Sequence, residues 1–384
     1  MKQKKRTIKR IGKALLYIGL FLCAFINCGT LLHYIPLVGD FASIAFLPTY
    51  PFLVIFSLAI AAICIRLFIK EKSKRNIAAF IISLLNVVVI VFLSIYTVCA
   101  VNARGEHINF FKAFVPASFS DVVEKDTVYV DQKEDNIPIS IFYKDDGEKN
   151  KPVIFYTHGG GWITGSRYDR LGTTKSFADN GYVVVCADYD LSDDEDHLYN
   201  FTEQQLLNAL HFCEQTVSEY GGDMAQLYMV GDSAGGNLAL ELAYKINSGV
   251  YTLPHKVKAV SVIYPVTDIK AFYATTNMLT SSTAKKMAVS YMGALPKEES
   301  ERYELLNPTN YIGSETPPTL IVHGTADSSV SLKSSVEFQQ TLEQKGIESK
   351  LVRVPFANHG SDTNANNFLA QAYINNTLAW FAAN

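Results

Sequence analysis

Three long apolar runs fill most of the first hundred residues, at 14–38, 41–69 and 77–101, and nothing else in the chain limits its fold as strongly. Each is long enough to cross ~30 Å of hydrocarbon at ~1.5 Å of helix rise per residue. A core helix of a water-soluble protein would instead carry a polar stripe at helical period, and the third run, Ile77–Val101, contains no charged residue. The runs therefore read as transmembrane helices. Asn27, His33, Pro36, Pro48 and Pro51 interrupt the first two, which softens their ends and leaves room for a re-entrant kink at Pro48–Pro51.

Charge gives the direction of crossing. Residues 1–105 hold 13 Lys and Arg against 2 acids, while residues 106–384 hold 21 against 35, so a net charge of −3 conceals a basic and an acidic half. Lys2, Lys4, Lys5, Arg6, Lys9, Arg10 and Lys13 precede the first run, and Arg66, Lys70, Lys72, Lys74 and Arg75 fall at the second link; Pro36–Pro51 has no Lys or Arg. Loops rich in Lys and Arg stay cytoplasmic, which puts everything after Val101 on the outer side of a multi-pass cell-membrane protein. A cleaved first run would give the same answer. The acidic half, with no basic and aromatic-interleaved patch, argues against nucleic acid as a partner; the basic half expects a lipid bilayer. Six Cys without a C-x-x-C pair give neither a disulfide framework nor a zinc site.

Residues 106–124 read as a connector. Beyond it, Thr127–Asp131 and Ile137–Tyr143 alternate apolar and polar residues around an acidic turn, a hairpin signal. Short apolar strands follow at 153–156, 182–187, 227–230, 257–263, 319–322 and 350–354, separated by helical stretches such as 201–220 and 237–246. This alternation predicts an α/β unit over 125–384 with a mostly parallel sheet and its ligands at the strand C-ends. Residues 270–306 break the rhythm, either as an insertion that covers or shapes the site or as an ordinary surface excursion.

The chemistry concentrates where apolar strands end. Leu227–Val230 runs into Gly231-Asp232-Ser233-Ala234-Gly235 and then a helical pattern, the arrangement of a nucleophile elbow. Glycines flank the serine because an abrupt strand-to-helix turn leaves no room for side chains. Upstream, Val153–Thr157 leads into His158-Gly159-Gly160-Gly161-Trp162. With the N–H of Ala234, those of Gly160 and Gly161 are candidates to bind an oxyanion, one such donor being worth ~3–4 kcal/mol of barrier. A serine hydroxyl needs an imidazole base oriented by a carboxylate. Asp327 and His359 both follow strands and complete the order Ser, Asp, His. Asp268 and Asp362 are the competing acids, His323 reads as a core residue and His158 as structural. Trp162 and Tyr189 are candidate pocket walls, or simply packing. The acidic run Asp188–Asp196 reads as a solvated loop, and no metal-ligand spacing is present.

Together the stretches at 158–162, 231–237, 317–327 and 358–360 resemble α/β-hydrolases of the hormone-sensitive-lipase-like carboxylesterase group and their acetyl- and feruloyl-esterase relatives. The resemblance spans roughly 125–384. It implies a mostly parallel central sheet flanked by helices, with Ser233 as nucleophile, Asp327 as orienting acid, His359 as base, and Gly160, Gly161 and Ala234 as oxyanion donors. It further implies a serine esterase that needs no cofactor or metal and cleaves short acyl groups from glycans, glycosides or lipids. An acyltransferase or serine peptidase of the same fold and a catalytically inactive membrane scaffold are the alternatives; acyl length, alcohol and oligomeric state are not encoded in these motifs. The chain departs from the group in having Asp190-Leu191-Ser192-Asp193-Asp194 after Asp188-Tyr189, where an Arg and a Pro are usual, and in the three N-terminal spans.

Overall fold

A computed structural model describes residues 2–103 and 108–384; the boundary expected at residue 105 lies outside them. Three long helices come first, α1 (Lys2–Leu31), α2 (Val38–Lys70) and α3 (Lys74–Asn102). All three are long and apolar enough to cross a membrane. The first ends at Leu31 and not at Val38, because Pro36 disfavours helix in the residue before it and cannot donate to the preceding turn; residues 32–37 turn instead, with Leu37 at φ 64°. No break occurs at Pro48 or Pro51, which α2 carries within its length.

The bundle is arranged opposite to a water-soluble one. Phe21, Phe52, Phe56, Val88 and Ile95 are exposed, whereas Asn27, Ser57 and Asn86 are buried between the helices. Outward apolar and inward polar groups are what a hydrocarbon solvent selects, since a buried amide finds its partner only on a neighbouring helix.

The C-terminal unit is built on β1 (Val122–Val130), β2 (Asn136–Lys144), β3 (Lys151–Thr157), β4 (Val183–Ala187), β5 (Gly222–Asp232), β6 (Val257–Ile263), β7 (Thr319–Gly324) and β8 (Ser349–Val354). They form one sheet in the order β1-β2-β4-β3-β5-β6-β7-β8. The first two strands make the expected antiparallel hairpin and β2 joins β4 antiparallel; every other pairing is parallel. Helices follow the strands: α4 (Leu171–Asp179), α5 (Thr202–Thr216), α6 (Ser233–Ser248), α7 (Ile269–Tyr273), α8 (Ser281–Met292), α9 (Ser300–Leu305), α10 (Leu332–Gln344) and α11 (Phe368–Ala383).

Central strands are apolar on both faces because both are covered. Along β3, Val153 and Phe155 join one core with Leu206, Leu210, Leu238, Leu242 and Phe338 of α5, α6 and α10. Ile154 and Tyr156 join the other with Phe177 of α4 and Leu369 and Tyr373 of α11. That second core continues into the bundle through Phe46, Tyr50 and Ile90, where the Tyr50 ring lies 4.7 Å from that of Phe368. The helical bundle thus sits on the α11 side of the sheet, at the end where β7 and β8 terminate.

Candidate active site

Ser233 is the first residue of α6, immediately after β5, and holds φ at 55°. Backbone in this region costs a non-glycine residue of order 1–3 kcal/mol and persists only where its surroundings enforce it. Here the neighbours do so by proximity. A Cβ on Gly235 would lie 2.2 Å from the Thr157 carbonyl oxygen, and one on Gly231 would lie 2.3 Å from that of Gly235. The turn therefore packs directly on the end of β3, and the Ser233 carbonyl is tied to the segment after β6 by the Val266 N–H at 3.1 Å. Ser233 Oγ is left at the positive end of a helix of 16 residues.

Three separate strand ends bring their side chains to this point. His359 Nε2 is 2.9 Å from Ser233 Oγ, and its Nδ1 is 2.8 Å from Asp327 Oδ2. The other oxygen of Asp327 accepts the N–H groups of Ser329 and Val330 at 2.9 and 2.8 Å. Burial opposes ionisation of Asp327, but His359 and His323 more than offset it and hold the carboxyl well below its usual range. For His359, burial disfavours the imidazolium while the Asp327 carboxylate favours it, and the net effect raises its pKa.

The glycine loop is shaped by a second carboxylate. Asp232 Oδ1 accepts the Gly159 N–H at 3.0 Å and the Tyr156 hydroxyl. Gly160 and Gly161 hold φ at 113° and 63°, and a Cβ on Gly160 would strike the Thr164 carbonyl oxygen at 1.9 Å, so only glycine fits. Among the described residues the N–H groups of Gly160 and Gly161 donate to no protein acceptor. They border a cavity of about 310 Å³ that also exposes Ser233, His359, Phe272, Ala284 and Met287. The last three belong to α7 and α8, so the 270–306 segment forms part of the cavity wall.

Two pocket-wall candidates lie elsewhere. Trp162 turns back at φ 62° into the core, where it is fully buried and stacks on Tyr291 at 4.8 Å. Tyr189 stacks on His158 at 4.2 Å and donates to the His158 carbonyl oxygen at 2.8 Å. Both brace the glycine loop from behind and neither lines the cavity. Trp162 reaches it only through Phe272, edge-on at 6.1 Å. His158 is buried as well; burial pushes its pKa down, and its Nδ1 lies 2.8 Å from the Gly159 carbonyl oxygen.

The competing acids have other partners. Asp268 caps α7 through the N–H groups of Lys270 and Ala271. Asp362 is held by the Tyr264 hydroxyl at 2.5 Å and Arg170 Nε at 3.3 Å, and Arg170 also faces Asp232 at 3.4 Å. His323 is buried in the core, yet its Nε2 comes within 3.3 Å of Asp327 Oδ2. In the acidic run, Arg167 clasps Asp188 and Asp193 caps the N–H groups of Glu195 and Asp196. Tyr264, whose ring lies 4.4 Å from that of His359, and Arg170 carried no motif; only their positions after β6 and before α4 hint at them.

The BD-FAE family model matches residues 139–342, more than half of the chain. A probable isoprenylcysteine alpha-carbonyl methylesterase of Oryza sativa subsp. japonica is 25% identical over 257 residues, covering 61% of this chain and 57% of that protein. A probable carboxylic ester hydrolase, LipM, of Mycobacterium tuberculosis is 26% identical over 222 residues, covering 55% of this chain and 49% of its own length. The chain spans about half the length of the curated relatives it matches. Among solved structures, esterase B from Lactobacillus rhamnosis superposes with a TM-score of 0.60 at 19% identity, covering 76% of this chain and 94% of that one. A bacterial heroin esterase also gives a TM-score of 0.60, at 20% identity, covering 74% and 90%. The sheet and its helices are those of the α/β-hydrolase fold.

Proposed function

The chain belongs to the BD-FAE family, and from that premise we propose that it is a serine esterase, anchored in the cell membrane by α1–α3, that hydrolyses carboxylic esters outside the cytoplasm. The observation that carries the reading is the continuous hydrogen-bond path from Ser233 through His359 to Asp327, at 2.9 and 2.8 Å. Ser233 Oγ attacks the ester carbonyl while His359 Nε2 takes its proton; Asp327 holds the other nitrogen protonated and stabilises the imidazolium. Negative charge developing on the carbonyl oxygen falls to the N–H groups of Gly160, Gly161 and Ala234, which are fixed before the reaction begins. His359 returns the proton to the leaving alcohol, and water then releases the acyl group by the same path in reverse.

A cavity of about 310 Å³ favours an ester that is small on one side. Two relatives are named for such groups, a methyl ester of isoprenylcysteine and an acetate of versiconal hemiacetal. Short acyl groups on glycans, glycosides or lipids fit the same limit. Support for the anchor comes from the outward apolar surface of the bundle. Support for the orientation comes from α2, which at 33 residues is ~50 Å long: its start meets the hydrolase unit and its end carries the basic link at Lys70–Arg75, the side that stays cytoplasmic.

Labelling with a fluorophosphonate tests the chemistry directly. Wild type should label and should cleave p-nitrophenyl acetate faster than the palmitate; Ser233→Ala should take no label and lose about 10,000-fold or more in kcat. A folded wild-type protein that takes no label overturns the reading. Orientation is tested separately with Lys149→Cys, at an exposed site, which an impermeant thiol reagent should modify on intact cells.

A further inference from the structure

Asp40 and Ser43 lie in the first turns of α2 and are buried, at 7% and 1% exposure, although most of the helix beyond them is apolar. Both reach out of the bundle into the hydrolase unit. Ser43 Oγ gives its proton to the Gly39 carbonyl at 2.7 Å and accepts the Nδ2–H of Asn358 at 2.7 Å. Asp40 accepts the Nδ2–H of Asn277, at 3.3 Å to either oxygen, and the N–H of Leu37 at 3.0 Å.

Each contact leads further in. Asn277 Oδ1 accepts the N–H groups of Leu279 and Thr280 at 2.9 and 3.2 Å, which shapes the approach to α8. Thr280, on the cavity wall, donates its hydroxyl to the Ser328 carbonyl at 2.5 Å. Ser328 donates both its N–H and its hydroxyl to Asn358 Oδ1 at 3.1 Å, and the same oxygen accepts the His359 N–H at 2.6 Å. The path then returns to Ser43. Asp40, Asn277, Thr280, Ser328, Asn358 and Ser43 thus close a ring that begins and ends on one stretch of α2, passing through the residue after Asp327 and the residue before His359.

We propose that this stretch of α2 is a working part of the catalytic site: Ser43 is a positioning residue that, through Asn358, holds the Asp327 and His359 loops in register. The seat of the membrane helix on the hydrolase unit thereby sets turnover. The proposal rests on the esterase reading above. Its physical basis is the burial of Asn358, which is 1% exposed with its oxygen shared among three donors and its amide proton on Ser43. Removing the Ser43 hydroxyl leaves a buried N–H without an acceptor, so Asn358 rotates to find one and releases Ser328 and His359. Reactivity falls steeply with small displacements of a catalytic group.

The test uses the full-length protein in lipid nanodiscs. Ser43→Ala should lower kcat for p-nitrophenyl acetate about tenfold with KM within about twofold, and slow fluorophosphonate labelling by the same factor; Ser43→Thr, which keeps the hydroxyl, should recover most of the loss. Ser57→Ala removes a hydroxyl of the same helix that serves only the bundle, and should leave kcat within about twofold of wild type. A readout independent of turnover is amide hydrogen exchange, which should quicken at Ser328 and His359 in Ser43→Ala and not in Ser57→Ala. Undiminished kcat in Ser43→Ala, equal losses in Ser43→Ala and Ser57→Ala, or unchanged exchange at the two amides would each overturn the proposal. A wild type that neither labels nor cleaves any ester would sink the esterase reading instead, and the exchange measurement would still decide whether α2 holds these loops.

Discussion

The bundle and the hydrolase unit both bury polar side chains, and they do so in different chemical currencies. Between the helices the groups are neutral: Asn27 donates to Asn86 at 2.8 Å, Asn86 to Ser57 at 2.9 Å, and Tyr50 pairs with Ser94. The hydrolase unit buries neutral groups too, but around the site it also buries acidic side chains that are densely partnered. Asp327 receives two backbone N–H groups and lies against two imidazoles, while Asp232 and Asp362 share Arg170. The backbone differs too. Ser233, Trp162, Tyr264 and Phe356 hold positive φ around the site, whereas the described bundle has such a non-glycine residue only at Leu37, in the α1–α2 turn. Burial of polar groups by itself therefore marks helix association as readily as a site. Buried charge combined with enforced backbone strain separates the two.

Removing charge from the site without changing its shape is the strongest way to break that contrast. Asp327→Asn keeps the size of the side chain but offers His359 Nδ1 an amide, which permits the wrong tautomer; kcat should fall about 1,000- to 10,000-fold. The pH profile should move as well. His359 acts as base only when neutral, and Asp327 raises its pKa, so the acid limb of kcat/KM in wild type should lie above the ordinary imidazole value of ~6.5. Without the Asp327 carboxylate, the downward push of burial and of Arg170 is opposed only by the more modest pull of Asp232, and the limb should shift to lower pH. A limb that stays in place would mean that Asp327 does not set the charge of His359.

Strain is the other half of the contrast, and Gly160→Ala probes it. The new methyl would meet the Thr164 carbonyl oxygen at 1.9 Å on a backbone at φ 113°, so the loop must move and carry its N–H groups with it. Loss of kcat should be about 100- to 1,000-fold, with KM less affected and fluorophosphonate labelling slowed in proportion. Activity near that of wild type would show that these amides are not the ones that meet the oxyanion.

How far the sequence reached follows the same division. Ser233, Asp327 and His359 could be named together because each ends a strand in a short motif whose glycines answer to local backbone geometry, and β5, β7 and β8 deliver those ends to one rim. The parallel sheet was legible from alternating apolar strands and helical stretches, and the three long helices from length and apolarity alone. Contacts between distant side chains were not. Arg170 meets Asp362 and Tyr264 backs His359 only through the order in which strands pair, and neither residue belongs to a pattern that repeats along the chain. Trp162 illustrates the opposite error: it sits beside the glycine loop in sequence, but a positive φ turns its ring away from the cavity and onto Tyr291. Adjacency in a motif places a backbone, and the fold decides where the side chain goes.

The smallest expected effect tests the bundle's side of the contrast. Asn86 links α1 to α2 by accepting from Asn27 and donating to Ser57, and Asn86→Ala removes both bonds. Hydrogen bonds of this kind between membrane helices contribute about 0.6 to 2 kcal/mol, because the separated helices also find partners for their polar groups. Asn86→Ala should therefore lower bundle stability by about 1 kcal/mol, read as an earlier unfolding midpoint in a detergent titration. It should leave kcat on a soluble ester within about twofold, since Asn86 pairs only within the bundle and lies outside the contacts that Asp40 and Ser43 make with the catalytic loops. A large fall in kcat at unchanged stability would erase the division, because neutral polar groups deep among the helices would then be acting on the site as the charged ones do.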